Sequence, residues 1–391
     1  MKDFLNQRVK DLKPSGIRKF FDIVSEMKDA ISLGVGEPDF VTPWHIRNAA
    51  IRSIQRGYTQ YTGNRGLPKL RELISRYLYE RFGVEYSAEH TVVTVGASEG
   101  IDLTLRAVCD IGDEILVPEP SYVSYLPCVH LAGGVAVPLK CSSENDFIIT
   151  PEMLEKAITP KTKALILPYP NNPTGAIMTK EQLSAIVPVI EKHDLLVISD
   201  EIYSELTYGG EHYSIAAFPN MKERTVLISG FSKAFAMTGW RIGFVCAPPE
   251  IDNAIFKIHQ YCIMCAPTNS QYAAVEALQE GFTDNFSVVQ TMREEYDRRR
   301  RFMVDFFNGV GMKCFEPRGA FYVFPSVEGL KTDGETFANE LLKAEKVAVV
   351  PGNAFGEAGK FHVRCSYATS MANLREASVR IEKYINSMKK N

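Results

Sequence analysis

Five kinds of reactive side chain follow one another along the middle of this chain. An amide stands in the turn Asn171-Asn172-Pro173-Thr174-Gly175, a carboxylate and a phenol in Ser199-Asp200-Glu201-Ile202-Tyr203, an amine in Phe231-Ser232-Lys233-Ala234-Phe235, and a guanidinium in Thr238-Gly239-Trp240-Arg241-Ile242-Gly243. Taken singly, each has a plain reading. Lysine is a common surface residue, Asp200 would cap the next helix, Asn-Pro-Thr-Gly is turn chemistry, and Gly96-Ala97-Ser98 is a strand-to-helix turn. Their order, and their placement at strand ends, is what points to chemistry.

Pyridoxal phosphate makes demands that this set meets. Its aldehyde needs an amine that can leave again, its pyridine nitrogen a carboxylate that keeps it protonated, its C3 oxygen hydrogen bonds, and its phosphate donors and positive charge. Lys233 supplies the amine and, once displaced, a base beside the substrate Cα. Asp200 closes the apolar run Leu195 to Ser199, a dry setting in which a carboxylate favours a cationic partner. Tyr203 and Asn172 can hydrogen-bond the C3 oxygen. The backbone N–H groups of Ala97 and Ser98, with the Ser98 hydroxyl, offer phosphate a helix N-terminus, and Arg241 adds a guanidinium. Gly34-Val35-Gly36-Glu37-Pro38 lacks the glycine spacing and preceding strand of a dinucleotide site.

These groups need a scaffold. Thr91 to Val95, Glu114 to Val117, Lys163 to Leu167, Leu195 to Ser199 and Val226 to Ser229 read as strands, with helices such as Ser98 to Cys109 and Lys180 to His193 between several of them. Alternating apolar strands and helices predict an α/β, three-layer large domain around a mostly parallel sheet, with ligands at the carboxyl ends of the strands. From about Gln290 the pattern changes to a charged helix, Met292 to Phe307, β-like runs Ala320 to Phe324 and Lys346 to Val350, and a last helix, Met371 to Met388. This predicts a large domain over 44–289, and a smaller α+β domain formed by 1–43 with 290–391.

The bulk numbers are consistent with that. The chain has 391 residues, 45% hydrophobic and 23% charged, with a net charge of −3 that argues against nucleic-acid or membrane partners. No run is apolar enough to span a bilayer. Eight scattered cysteines suggest a reducing, cytoplasmic setting. Cys262-Ile263-Met264-Cys265 has redox or half-site spacing but no second pair, which suggests packed, reduced thiols and no metal site. The run Arg298-Arg299-Arg300-Arg301, interleaved with Glu294, Glu295 and Asp297, reads as a solvated helix face.

Together, Asn-Pro-Thr-Gly at 172–175, Asp-Glu-Ile-Tyr at 200–203, Ser-Lys at 232–233, Gly-Trp-Arg-Ile-Gly at 239–243 and Arg364 in His362-Val363-Arg364-Cys365-Ser366 resemble the class I/II pyridoxal-phosphate aminotransferases of the aspartate aminotransferase fold. The similarity runs from Ser15-Gly16-Ile17-Arg18-Lys19 to the final helix. The resemblance implies that Arg364 grips the substrate α-carboxylate, that Gly36 meets the same group through its backbone, and that Tyr122 stacks on the pyridine ring. It implies that Tyr61 reaches the phosphate of a neighbouring subunit, hence a homodimer with shared active sites. Gly230 stands where some relatives carry a phosphate-binding serine, leaving Ser232 or the backbone to take its place.

The implied reaction is ping-pong transamination between an L-amino acid and a 2-oxo acid through pyridoxal and pyridoxamine phosphate. Within the family the chain is most similar to the branch of aromatic, alanine and N-acetyl-diaminopimelate aminotransferases. Ile17, Phe20, Phe21 and Tyr125 are expected to line the side-chain pocket and to favour an apolar or aromatic substrate, although core packing explains them equally. The rival readings are a carbon–sulfur β-lyase using the same cofactor, and a regulatory or binding protein on this scaffold. The latter usually carries a fused DNA-binding module, for which no basic N-terminal extension leaves room.

Overall fold

The computed structural model describes residues 3–12, 27 and 29–389. Seven strands form its main sheet: β1 (Thr91–Thr94), β2 (Glu114–Glu119), β3 (Val135–Lys140), β4 (Thr162–Leu167), β5 (Leu196–Asp200), β6 (Thr225–Gly230) and β7 (Gly243–Cys246). Their spatial order is β1-β7-β6-β5-β4-β2-β3, and only β7 runs antiparallel to its neighbours.

The central strands are continuous apolar runs because both faces of the sheet are covered. Successive residues enter different cores. Leu165, Val197 and Leu227 pack on one face, Ile166, Ile198 and Ile228 on the other. All six are 0 or 1% exposed, and each contributes about 2 kcal/mol by leaving water. Helix α1 (Ala97–Val108) lays Ile101 and Leu105 on the second face. The helix Lys180–Lys192 opens on a reciprocal cap between Thr179 and Gln182.

The C-terminal part packs a further core, which Leu33, Tyr203, Leu206 and Tyr208 also enter. It is built around the helix Ser287–Gly309, an antiparallel sheet of Val350–Pro351, Val363–Ser366 and Tyr322–Val323, and the helix Met371–Met388. The two-residue strand Ile31–Ser32 pairs in parallel with Val347–Ala348, which ties that stretch to this part, whereas the helix Gln7–Asp11 lies against the helix Tyr125–Ala132, with Arg8 hydrogen-bonded to Leu131 and His130.

Several expectations need correction. Two strands of the sheet were not read from the sequence. β3 is a half-exposed edge strand containing Pro138, and edge strands tolerate proline and polar residues. β7 is only four residues long. The run Ala320 to Phe324 shortens to Tyr322–Val323, and Lys346 to Val350 splits into two short strands. The arginine run is only half a solvated face. Arg299 and Arg300 are buried, Arg299 against Asp39 and Glu295 at 2.8 Å each, Arg300 against Asp297 at 2.8 Å and Glu316 at 2.7 Å. The Cys262–Cys265 segment is not packed, since Cys262 is exposed and Cys265 half-buried.

Candidate active site

A cavity of about 390 Å³ opens at the carboxyl edge of the parallel strands. Asp200 is the last residue of β5 and is 5% exposed. Its Oδ2 accepts the Tyr125 hydroxyl at 2.7 Å and its Oδ1 the Ile202 N–H at 3.2 Å. Burial nevertheless pushes its carboxyl up to about 6, so a cation in contact with it would be strongly favoured.

Lys233 stands three residues beyond β6 and donates from Nζ to the Gly36 carbonyl at 2.7 Å. The residue is half-buried, its remaining exposure being to the cavity it lines. Enclosure lowers its ammonium to about 8, which leaves part of the population as free amine near neutral pH. Tyr203 faces the same space, its hydroxyl 2.9 Å from that of Tyr322.

At one end of the cavity lies Arg364, 3% exposed. It donates to Asn172 Oδ1 at 2.8 Å and to the Gly34 carbonyl at 2.6 Å, with its guanidinium 4.4 Å from the Tyr322 ring centre and 4.8 Å from that of Phe355. Its Nε is buried without a partner. An unmet donor on a guanidinium facing a cavity suits a carboxylate. Gly36 closes this end. A Cβ there would stand 2.9 Å from the Tyr322 hydroxyl.

The other end is built for an anion. Gly96 takes φ 76° and turns β1 into α1, whose first N–H groups have no helical partner. A Cβ on Gly96 would meet the Arg241 guanidinium at 2.7 Å, so glycine lets that group approach the turn. Arg241 itself takes φ 50° and donates to the Thr238 carbonyl at 2.8 Å. Ala97, Ser98 and Ser232 line this end too. At Gly230 a Cβ would lie 2.8 Å from Gly243 Cα, so the position at which some relatives carry serine is sterically closed here.

The fold therefore brings together Lys233, Asp200, Tyr203, Asn172, Ala97, Ser98, Tyr122, Arg241, Ser232, Arg364 and Gly36 around one space. Tyr61 is not among them. It is 78% exposed and does not line this chain's cavity. Ile17, Phe20 and Phe21 lie outside the described residues. Two cavity residues had no distinctive signal in the sequence: Tyr322, read only as part of a strand, and Tyr125 as the partner of Asp200. Both contacts join residues far apart in the chain.

Comparison with known proteins follows the same lines. The family described as aminotransferase class I and II matches residues 28–381. The Bacillus subtilis protein YugH is 51% identical over 98% of this chain and 99% of its own length. An aspartate aminotransferase of Pyrococcus abyssi is 44% identical over 98% and 99%. The crystal structure of an aromatic aminotransferase from Pyrococcus horikoshii superposes with a TM-score of 0.90 at 42% identity, covering 96% of this chain and all of that one.

Proposed function

This chain belongs to the class I and II aminotransferases, and from that premise we propose that it exchanges the amino group of an L-amino acid with an apolar or aromatic side chain for the carbonyl oxygen of a 2-oxo acid. Amino-group transfer and dependence on pyridoxal phosphate come with the family. The observation that carries the residue assignments is the Lys233 amine enclosed between a buried carboxylate and an arginine with an unmet donor.

The cavity fits the cofactor by its donor set. Asp200 would face the pyridine nitrogen, Tyr203 and Asn172 the C3 oxygen, and Tyr122 the ring. Ala97, Ser98, Ser232 and Arg241 would surround the phosphate, with the Gly96 approach keeping that cradle open. When bound, pyridoxal phosphate supplies an aldehyde carbon and an electron-accepting ring. Lys233 would hold the cofactor and, once displaced by the substrate amine, would carry the proton away from the substrate Cα to the cofactor's former aldehyde carbon in one half-reaction and in the reverse direction in the other. Its lowered ammonium value places the free amine within reach at neutral pH. Arg364 and the Gly36 backbone hold the α-carboxylate, which fixes the Cα–H bond relative to Lys233.

Substrate choice rests on the remaining walls. Ile101, Val123, Ile202 and Phe355 are apolar, and among the described residues Arg364 and Arg241 are the arginines that line the cavity. Both are committed, one to each end, which favours an uncharged side chain. Relatives bearing aspartate and aromatic names stand at similar identity, so pocket chemistry carries this reading.

The active unit is a homodimer in which Tyr61 reaches the partner's phosphate. Support comes from Tyr61, Tyr261, Ile263 and Met264, exposed on segments joined by the Thr268–Gln60 hydrogen bond. Residues 44–289 form the large domain, and 1–43 with 290–391 the small one. A panel of amino donors with 2-oxoglutarate and pyruvate, followed by the half-reaction spectrum, tests the assignment. Pyruvate release from cystathionine without an oxo acid would establish the lyase reading instead.

A further inference from the structure

Beneath the anion end of the cavity lies a second set of groups that is not part of its lining. His259, on helix α2 (Pro249–Cys262), is fully buried. Its Nδ1 stands 2.7 Å from Glu99 Oε1 and its Nε2 3.0 Å from the Asn64 carbonyl oxygen. Glu99 lies in the first turn of α1, and its other oxygen accepts the Val95 N–H at 2.5 Å. Val95 and Gly96 are the turn that presents the free N–H groups of Ala97 and Ser98. Glu99 therefore fixes the geometry of the anion cradle while adding a negative charge to it.

The hydrogen bonds assign the counter-charge. A carbonyl only accepts, so Nε2 donates to Asn64, and the Nδ1 contact to Glu99 needs one further proton shared by the pair, which then carries no net charge. A bare carboxylate in the first turn would compete with a phosphate dianion for the same helix terminus. His259 removes that conflict by leaving the pair without net charge. Its second nitrogen also ties the cradle to the loop Tyr61–Gly66, which is independently anchored by Arg65 on Asp252 at 2.8 Å and by Gln271 on the Leu67 N–H at 2.7 Å.

We propose that His259 is a positioning residue for phosphate binding: it cancels the Glu99 charge under the cradle and locks the Val95–Ser98 turn to the Tyr61–Gly66 loop. This rests on the reading that the turn holds the cofactor phosphate. The test uses cofactor-free full-length enzyme and measures dissociation constants for pyridoxal phosphate and for inorganic phosphate by equilibrium dialysis. His259→Gln is expected to weaken both by about tenfold, the scale of one uncompensated charge in a partly screened site. Adding Glu99→Gln should restore both to within about twofold of wild type, because the charge conflict is gone. Unchanged phosphate binding in His259→Gln, or a double variant no tighter than the single one, overturns the proposal.

If His259→Gln does not fold, Glu99→Gln alone decides. It should bind phosphate at least as tightly as wild type, and weaker binding overturns the proposal. Arg241→Gln separates the two levels of the argument. If it leaves phosphate binding unchanged, the cradle itself is misplaced and the proposal falls with it. If it weakens binding while His259→Gln does not, the proposal on His259 alone falls.

Discussion

The Tyr322 hydroxyl stands 2.9 Å from the Tyr203 hydroxyl, while the ring of the same Tyr322 lies 4.4 Å from the Arg364 guanidinium. One side chain thus supports both the phenol proposed for the C3 oxygen and the arginine proposed for the α-carboxylate. A single proton lies between the two hydroxyls. For Tyr203 to donate into the cavity, Tyr322 must donate to Tyr203. Tyr322→Phe keeps the ring and removes the donor, so kcat should fall about tenfold with KM little changed, the worth of one buried hydrogen bond. Tyr322→Leu also removes the ring under Arg364 and should raise KM. Steady-state kinetics on the two variants distinguish these effects.

Lys233→Ala removes both the attachment point and the proton carrier. Turnover should drop by at least about a thousandfold, within the range that a positioned acid–base contributes, and the visible absorbance of the bound cofactor should disappear. Full activity in this variant would falsify the site assignment.

Asp200 predicts a pH signature in the cofactor-free protein. Its folded value of about 6 lies above the ordinary 3.8 because burial favours the neutral acid. Its contribution to stability is then fully present below about pH 4 and is lost as pH rises through about 6. A displacement of that size is worth roughly 3 kcal/mol. Cofactor-free Asp200→Asn should therefore outlast wild type in urea at pH 8 and lose that advantage at pH 4. A gap that is the same at both pH values would contradict the electrostatic account.

Arg364→Lys keeps the charge but not the planar fork. The loss of a two-pronged, charge-assisted pair should raise KM for amino acids by about thirtyfold, equivalent to roughly 2 kcal/mol. Initial rates over a range of donor concentrations give the value directly.

Arg299→Ala leaves the exposed Asp39 and the half-buried Glu295 without their shared partner, though Tyr296 and Arg298 still reach them. Losing these partly solvated pairs should cost about 1 kcal/mol, visible as a lower denaturant midpoint. None of these three residues lines the cavity, so the cofactor spectrum should be preserved.

The sequence made some of this legible for definite reasons. Val197, Ile198, Val226 and Leu227 reveal central strands because burial on both faces leaves no room for polar residues. Lys233, Asp200, Asn172 and Arg241 were visible because strand ends are where such sheets bind ligands. β3 escaped notice because an edge strand with Pro138 has no apolar pattern, and β7 because four residues beside a glycine-rich motif look like more of the motif. Tyr322 with Tyr203, Tyr125 with Asp200 and His259 with Glu99 could not be found that way. Each pair meets only through the tertiary fold, and no local spacing announces it. Tyr61 lies at the far limit of this reasoning, since the role proposed for it would be played in another copy of the chain.

The reversed direction of β7 has a geometric consequence. A four-residue strand spans about 13 Å. Had β7 run parallel to β6, the chain would have needed a crossover to begin at the opposite edge of the sheet, and Arg241 would have been delivered there with it. Running backwards, β7 starts beside the place where β6 ends. The chain therefore visits the catalytic edge twice within the eight residues from Lys233 to Arg241. The distance between amine and guanidinium is thereby set by the single connection 231–242 rather than by the docking of a helix.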